Sequence, residues 1–276
     1  MPELPEVETI ARSLARDASI DGRTIRSCDV RWERTIAFPS VATFKRRIQG
    51  QTVCSLGRCG KYLVITLDKD TLLMHLRMSG DLRFEKTAHT SAKTISTEKH
   101  DRLLIFFEDG ACLVFNDTRK FGRVWLLPDP QVVLRKIGPD ALDEQLTPAL
   151  FYEMLQSKKR QLKPLLMDQH FLAGLGNIYT DEALYLAKLH PLQQSDDISA
   201  EQAALLLRSI RAVLREGIRR NGASIDWVYR GGDFQNHFCV YGRAGEPCFA
   251  CGQPIQRLLV GQRGTHICPH CQQINR

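Results

Sequence analysis

The sequence predicts an α+β protein in three parts: an antiparallel sheet domain, a helical domain and a short strand-bearing tail with a metal site. Three observations carry this. Short apolar, β-branched stretches recur between Thr24 and Asp117, which is the signature of strands. Beyond DPQVVLRKIGPDA, residues 129–141, apolar residues fall at helical spacing instead. The tail after residue 238 turns glycine-rich and holds Cys248, Cys251, Cys268 and Cys271.

Taken in order, Val7, Ile10, Ala11 and Leu14 lie on one helical face, so a first helix runs from about Pro5 to Arg16 and DGRT ends it. TIRSCDV, QTVCSL, KYLVITL, TLLMHLRM, RLLIFFE and ACLVFND then read as strands, with EDG closing a hairpin between the last two. SVATFKRRIQG inserts one short helix, with Ser40 as N-cap and Gly50 as stop. The segment 129–141 carries a Gly-Pro pair and suits a linker. Thr147-Pro148 reads as an N-cap with proline at the first helical position. Ser199 with Gln202 forms a capping box ahead of AALLLRSIRAVLREGI. The expected parts are residues 1–128, a linker 129–141, 142–237 and 238–276.

A chain of 276 residues, 43% hydrophobic and 25% charged, is an ordinary globular composition able to bury a sizeable core. The start is too polar for a secretory signal, and the longest apolar run, Leu103 to Phe107, is far too short to span a membrane. A soluble, cytoplasmic monomer is expected. The net charge of +7 suits an acidic partner such as a phosphate backbone, although a merely soluble surface has the same balance.

Cys248-x2-Cys251-x16-Cys268-x2-Cys271 is the strongest local signal. Two such knuckles place four thiolates around one zinc and leave no open position for water, so the metal is structural. The alternative is two disulfides or idle thiols. Cys28, Cys54, Cys59, Cys112 and Cys239 lack such spacing and read as packed thiols. Between the knuckles, Arg263 at a glycine-flanked hairpin tip either reaches a phosphate or is solvated surface. In FLAGLGNIYTDEAL, Asn177 caps a helix running through Tyr179 and Glu182, which is an anion site by geometry or an ordinary capped helix. Lys61, Met78, Arg119 and Phe121 are bland singly, as a surface lysine, an exposed arginine and core apolar residues. Removal of Met1 would leave Pro2 with a free secondary amine.

PELPEVE at the start, KYL, HLxMSG, NDxRxFG, GLGNIYxDE, VYGRxGEPCxxCG and GxRGTHxCPxC occur in this order. Together they resemble the formamidopyrimidine-DNA glycosylase family, bacterial base-excision enzymes that remove oxidised purines. The resemblance implies an N-terminal β-sandwich with flanking helices, a helix-two-turn-helix domain and a C-terminal zinc finger, with damaged double-stranded DNA bound between and the protein on the bacterial nucleoid. It makes Pro2 the nucleophile and Glu3 its acidic partner at the sugar. Glu6 and Glu182 support the site. Lys61, Asn177 and Arg263 grip phosphates, and Met78, Arg119 and Phe121 fill the space left by a flipped nucleotide.

The residue types suit that chemistry. An α-amine has a reference pKa of about 7.7 to 8, so it is partly an uncharged nucleophile near neutral pH. Attack on the anomeric carbon expels the base and leaves an iminium, which acidifies the sugar protons for β- and then δ-elimination. Glu3, if kept protonated by burial, opens the ring as general acid.

Departures are Arg77 where the family usually has glycine, Thr118 where proline is common, and an Asn221 to Asn236 stretch several residues shorter than usual, which bears on lesion preference. The endonuclease VIII branch is the nearer rival, but it typically has PEGPE where this chain has Leu4. A non-catalytic zinc sensor of damaged DNA would have no use for Pro2, Glu3 and Lys61 together.

Overall fold

The computed structural model describes residues 1–16, 18–86, 98–224 and 231–274. The chain divides into two compact units. Of the described residues, one comprises 1–2 and 6–134; the other comprises 3–5, 135–224 and 231–274.

The first unit begins on helix α1, Leu4–Arg16, whose residues from Glu6 onward belong to it. Val7, Ile10 and Leu14 are buried on one face, as their spacing predicts. Strands β1, Ile25–Val30, and β2, Ile36–Phe38, precede helix α2, Val41–Ile48. The Ser40 hydroxyl accepts from the Thr43 N–H at the start of α2, and Gly50 takes φ +77° just beyond its end. Then come β3 (Val53–Cys59), β4 (Tyr62–Leu67), β5 (Thr71–His75), β6 (Gly80–Glu85), β7 (Asp101–Phe107), β8 (Cys112–Asp117) and β9 (Arg123–Leu127).

They form a five-stranded sheet ordered β2-β9-β5-β4-β3 and a four-stranded sheet ordered β1-β7-β8-β6. Both sheets and α1 and α2 contribute to one apolar cluster, with Phe44, Leu63, Ile65, Phe107, Phe115 and Leu126 at its centre. Strands β2, β6 and β9 go beyond the six expected. Strand β2 is three residues long, and its pairing with β9 is parallel, an exception to the antiparallel expectation.

Helix α3, Gln131–Leu134, is a single turn within residues 129–141. The second unit contains helices α4 (Pro148–Gln156), α5 (Leu162–Leu166), α6 (Asn177–Leu186) and α7 (Ala200–Arg219). Thr147 caps α4 with Pro148 in its first turn, and the Ser199–Gln202 box caps α7 with both reciprocal bonds present. Tyr179 of α6 is fully buried and stacks on Phe234 at 5.2 Å between ring centroids. A final hairpin pairs β10, Gln256–Val260, with β11, Arg263–Ile267. Its two-residue turn, Gly261 and Gln262, has φ of +54° and +61°, which suits the twist of a tight hairpin. Arg263 is therefore the first strand residue after the tip, not the tip itself.

Candidate active site and nucleic-acid contacts

The two glycines of GLGN make room for the chain's opening residues. A Cβ on Gly174 would lie 2.4 Å from Leu4 Cδ1, and one on Gly176 would lie 2.4 Å from Glu3 Cδ and 2.5 Å from its Oε1. Only glycine permits that approach. Leu4 N–H donates to the Gly174 carbonyl at 3.0 Å. The Glu3 carboxylate then accepts the Gly176 N–H on Oε2 at 2.5 Å and the Ile178 N–H on Oε1 at 3.0 Å. The anion at the N-terminus of α6 is thus a side chain of the protein.

This corrects the expected cap. The N-cap is Gly176, and Asn177 is the first helical residue with no capping bond. Its Nδ2 turns instead to the Gly264 carbonyl at 3.1 Å, and its Oδ1 is buried without a partner.

Gly264 lies beside Arg263, and a second donor holds its carbonyl. Lys163 is fully buried, and its Nζ bonds Asp181 Oδ1 at 2.6 Å and Gly264 O at 3.1 Å. Burial pushes the Lys163 amine down, and the Asp181 charge opposes that. Asp181 Oδ2 accepts the His266 N–H at 2.9 Å. One buried ion pair therefore fixes the start of β11 and presents Arg263, whose side chain is exposed. Glu182, next along α6, accepts the N–H groups of Cys239, Val240 and Tyr241 at 2.8 to 2.9 Å. Burial pushes its carboxyl up, while those three donors pull it down.

In the first unit, Pro2, Glu6 and Lys61 are all buried. Met1 acylates the Pro2 nitrogen in this chain, so its lone pair is tied up in an amide. Lys61 stands in the turn before β4, and His75 at the end of β5 pairs across from Tyr62. Burial, followed by the Arg77 and Lys61 cations, pushes His75 down to about 3. The ring is accordingly neutral, and its Nδ1 accepts the Arg77 N–H at 3.0 Å.

Asp117 gathers the residues expected to fill space beside a flipped nucleotide. Its Oδ1 accepts from Ser79 Oγ at 2.5 Å and from Arg119 N–H at 3.1 Å, and its Oδ2 accepts from Gly122 N–H at 2.7 Å. One buried carboxylate thus ties the turn of Met78 to the loop of Arg119 and Phe121. The Arg119 guanidinium lies 5.3 Å from the Phe121 ring centroid, and Phe121 is 47% exposed. Phe121 is therefore outside the core.

The sulfurs of Cys248, Cys251, Cys268 and Cys271 all lie within 4.8 Å of one another. Cys248 and Cys271 are 3.9 Å apart, and Cys251 and Cys268 are 3.4 Å apart. Zinc–sulfur bonds of about 2.3 Å in a tetrahedron set sulfurs about 3.8 Å apart. A disulfide requires about 2.05 Å. The donor set fits one structural zinc and excludes the disulfide alternative. The Tyr185 hydroxyl, 3.3 Å from Cys248 Sγ, supports that ligand from outside the shell.

Three family profiles match the chain in succession: formamidopyrimidine-DNA glycosylase N-terminal domain over residues 1–124, formamidopyrimidine-DNA glycosylase H2TH domain over 137–228, and the zinc finger found in FPG and IleRS over 245–274. The formamidopyrimidine-DNA glycosylase of Protochlamydia amoebophila is 41% identical over 281 residues, covering 99% of each chain. The chain belongs to the formamidopyrimidine-DNA glycosylase family. The Chloroflexus aurantiacus glycosylase is 42% identical over 280 residues, covering 99% of this chain and 98% of that one. A crystal structure of Lactococcus lactis Fpg (MutM) with DNA containing N7-benzyl-Fapy-dG matches with a TM-score of 0.89 at 38% identity, over 99% of this chain and 100% of that one. MutM in complex with DNA containing carbocyclic 8-oxo-G matches with the same TM-score, identity and coverage.

The protein is accordingly a DNA-repair glycosylase with an α+β fold and a zinc finger. Among its described residues no helix is long and apolar enough to cross a membrane. Its departures from glycosylase motifs acquire a physical reading. Arg77 has φ +55°, the left-handed region that explains a usual glycine and costs an L-residue about 1–2 kcal/mol. Thr118 is exposed between Asp117 and Arg119. In the short Asn221 to Asn236 stretch, residues 225–230 lie outside the described ones. Its flanks are tied by Ser224 Oγ, which accepts from the Gly231 and Gly232 N–H groups.

Sequence reasoning does not reach Lys163, Asp117 or His75. The last two open or close recognised motifs, ND and HLRMSG, and that was their available signal.

Proposed function

We propose that this glycosylase excises oxidised purines, formamidopyrimidines and 8-oxoguanine, from duplex DNA and then cuts the strand as an abasic-site lyase. The observation that carries the reading is the Glu3 carboxylate, held by two backbone donors in a cradle of glycines, at the residue next to Pro2. A carboxylate fixed so firmly beside a potential secondary amine suits a covalent reaction at a sugar. The two solved relatives bound to DNA with Fapy-dG and 8-oxo-G derivatives support the substrate class.

Once Met1 is removed, the Pro2 nitrogen gives its lone pair to the anomeric carbon, and the glycosidic bond breaks with its electrons leaving on the base. The nitrogen then carries a proton it must lose. Glu3, its oxygens held by two backbone donors, takes that proton and passes it to the ring oxygen as the sugar opens. The iminium that results withdraws electrons: loss of a proton from the adjacent C2′ expels the 3′ phosphate, and loss of a second proton, from C4′, then expels the 5′ phosphate. Hydrolysis of the last imine restores the amine.

Glu6 backs the nucleophile from α1. Lys61, Asn177 and Arg263 bind phosphates, with Glu182 and Zn2+ setting the backbone around the latter two. Met78, Arg119 and Phe121 occupy the vacated stack. The active species is a monomer divided as 1–128, 142–237 and 238–276 about a linker at 129–141.

A panel of duplexes with single lesions tests the reading. Protein lacking Met1 excises formamidopyrimidines at least as well as 8-oxoguanine, as the short Asn221 to Asn236 stretch suggests, and nicks on both sides. Preference for oxidised pyrimidines, or base release without nicking, contradicts it.

A further inference from the structure

The opening motif holds three glutamates, and Glu8 has no part in the reaction proposed above. Its carboxylate nevertheless bonds two guanidinium groups. Its Oε1 accepts from Arg12 Nε at 2.7 Å and its Oε2 from Arg58 Nε at 2.9 Å. Arg12 is half exposed and one helical turn away, an ordinary surface pair. Arg58 is different: its side chain is 10% exposed, it comes from β3 fifty residues on, and its Nη1 also donates to the Gly60 carbonyl at 3.1 Å. Gly60 sits at φ +55° in the turn between β3 and β4, and Lys61 is the next residue.

We propose that Glu8 and Arg58 are positioning residues: the pair ties α1, which starts immediately behind Pro2 and Glu3, to the turn that presents Lys61. The guanidinium suits this because its two edges serve two acceptors, the carboxylate through Nε and the Gly60 carbonyl through Nη1. An ammonium is a point charge without that fork. Partial burial keeps the pair less screened than a surface bridge. Burial pushes the Glu8 carboxyl up, but the Arg58 and Arg12 bonds outweigh it and hold the carboxyl below its ordinary range.

The inference rests on the reading that Lys61 grips a phosphate beside the lesion, and the test separates the two. Single-turnover excision from a formamidopyrimidine duplex is measured for Arg58→Gln, Glu8→Gln, Lys61→Ala and the double variants, all with Met1 removed. Arg58→Gln and Glu8→Gln each slow excision roughly tenfold, the scale of a slight misplacement, at parental melting temperature and zinc content. Their combination is no slower than either alone. In a Lys61→Ala background, Arg58→Gln costs nothing further. Arg58→Lys, which keeps the charge, recovers only part of the rate. If Arg58→Gln folds poorly, Glu8→Gln carries the test, since it leaves the bond from Arg58 to Gly60. Additive losses in the Lys61→Ala background, or full activity in both single variants, overturn the inference alone. Full activity in Lys61→Ala overturns the reading of Lys61 and the inference with it.

Discussion

The β-sandwich and the zinc-bearing hairpin are held together in opposite ways. In the sandwich, residues from Val7 to Leu126 share one apolar cluster. Around the four cysteines the buried apolar cluster is Val240 and Ile255 with the sulfurs of Cys248 and Cys268, and the hairpin itself adds only Val260 and Ile267. So small a set cannot offset the chain entropy of ordering the segment, and metal bonds must do so. The difference teaches on what each of the proposed DNA contacts depends. Lys61, Met78, Arg119 and Phe121 ride on apolar packing, while Arg263 rides on zinc and on the Lys163–Asp181 pair.

Stripping the metal breaks the comparison most severely. Zinc binding to finger peptides is worth about 10–16 kcal/mol in apparent terms near pH 7. Chelation or Cys248→Ser should therefore melt the β10–β11 hairpin and abolish duplex binding. The sandwich should keep its amide-exchange protection. Metal analysis that finds no zinc in native protein contradicts the whole contrast.

The complementary cut is Phe44→Ala, at a fully buried position on α2. Emptying it should cost about 3–5 kcal/mol in chemical denaturation of the sandwich. Zinc content should not change.

Lys163→Met sharpens the contrast within the second unit. It leaves the Asp181 charge buried without its cation, and breaking such a pair costs about 3–5 kcal/mol. Weaker duplex binding should accompany the lost stability, because the Gly264 carbonyl and the start of β11 lose a donor. The double variant Lys163→Met/Asp181→Leu should recover stability more than binding. Recovery of both would mean that the pair does nothing for Arg263.

What the sequence made legible was local. Ser40, Thr147 and the Ser199–Gln202 box declare helix starts because donor and acceptor lie within three residues of each other. The EDG turn is of the same kind, with Gly110 N–H bonding back to Phe107 O. The zinc ligands are legible because spacing alone brings each pair together. Strand β6 escapes notice because it opens on glycine and has only Leu82 and Phe84 as a period-two signal. Asn177 is misread as a cap because the acceptor for the Gly176 and Ile178 N–H groups is Glu3, 173 and 175 residues earlier. Lys163 in QLKPLL looks like surface until Asp181 is seen against it.

The smallest structural effect is expected at Phe121. It is 47% exposed, so Phe121→Ala should shift stability by less than about 0.5 kcal/mol. Base excision should nevertheless slow by roughly tenfold, about 1.4 kcal/mol of the unstacking cost. A stability loss of several kcal/mol would instead make Phe121 a packing residue.

The account as a whole turns on the amine of Pro2. Borohydride added during turnover of a lesion duplex should reduce the iminium to a stable protein–DNA adduct, and peptide mapping should place it on residue 2 in protein freed of Met1. Protein that keeps Met1 should bind the duplex and trap nothing. An adduct on Lys61, or undiminished trapping with Met1 in place, contradicts the assignment.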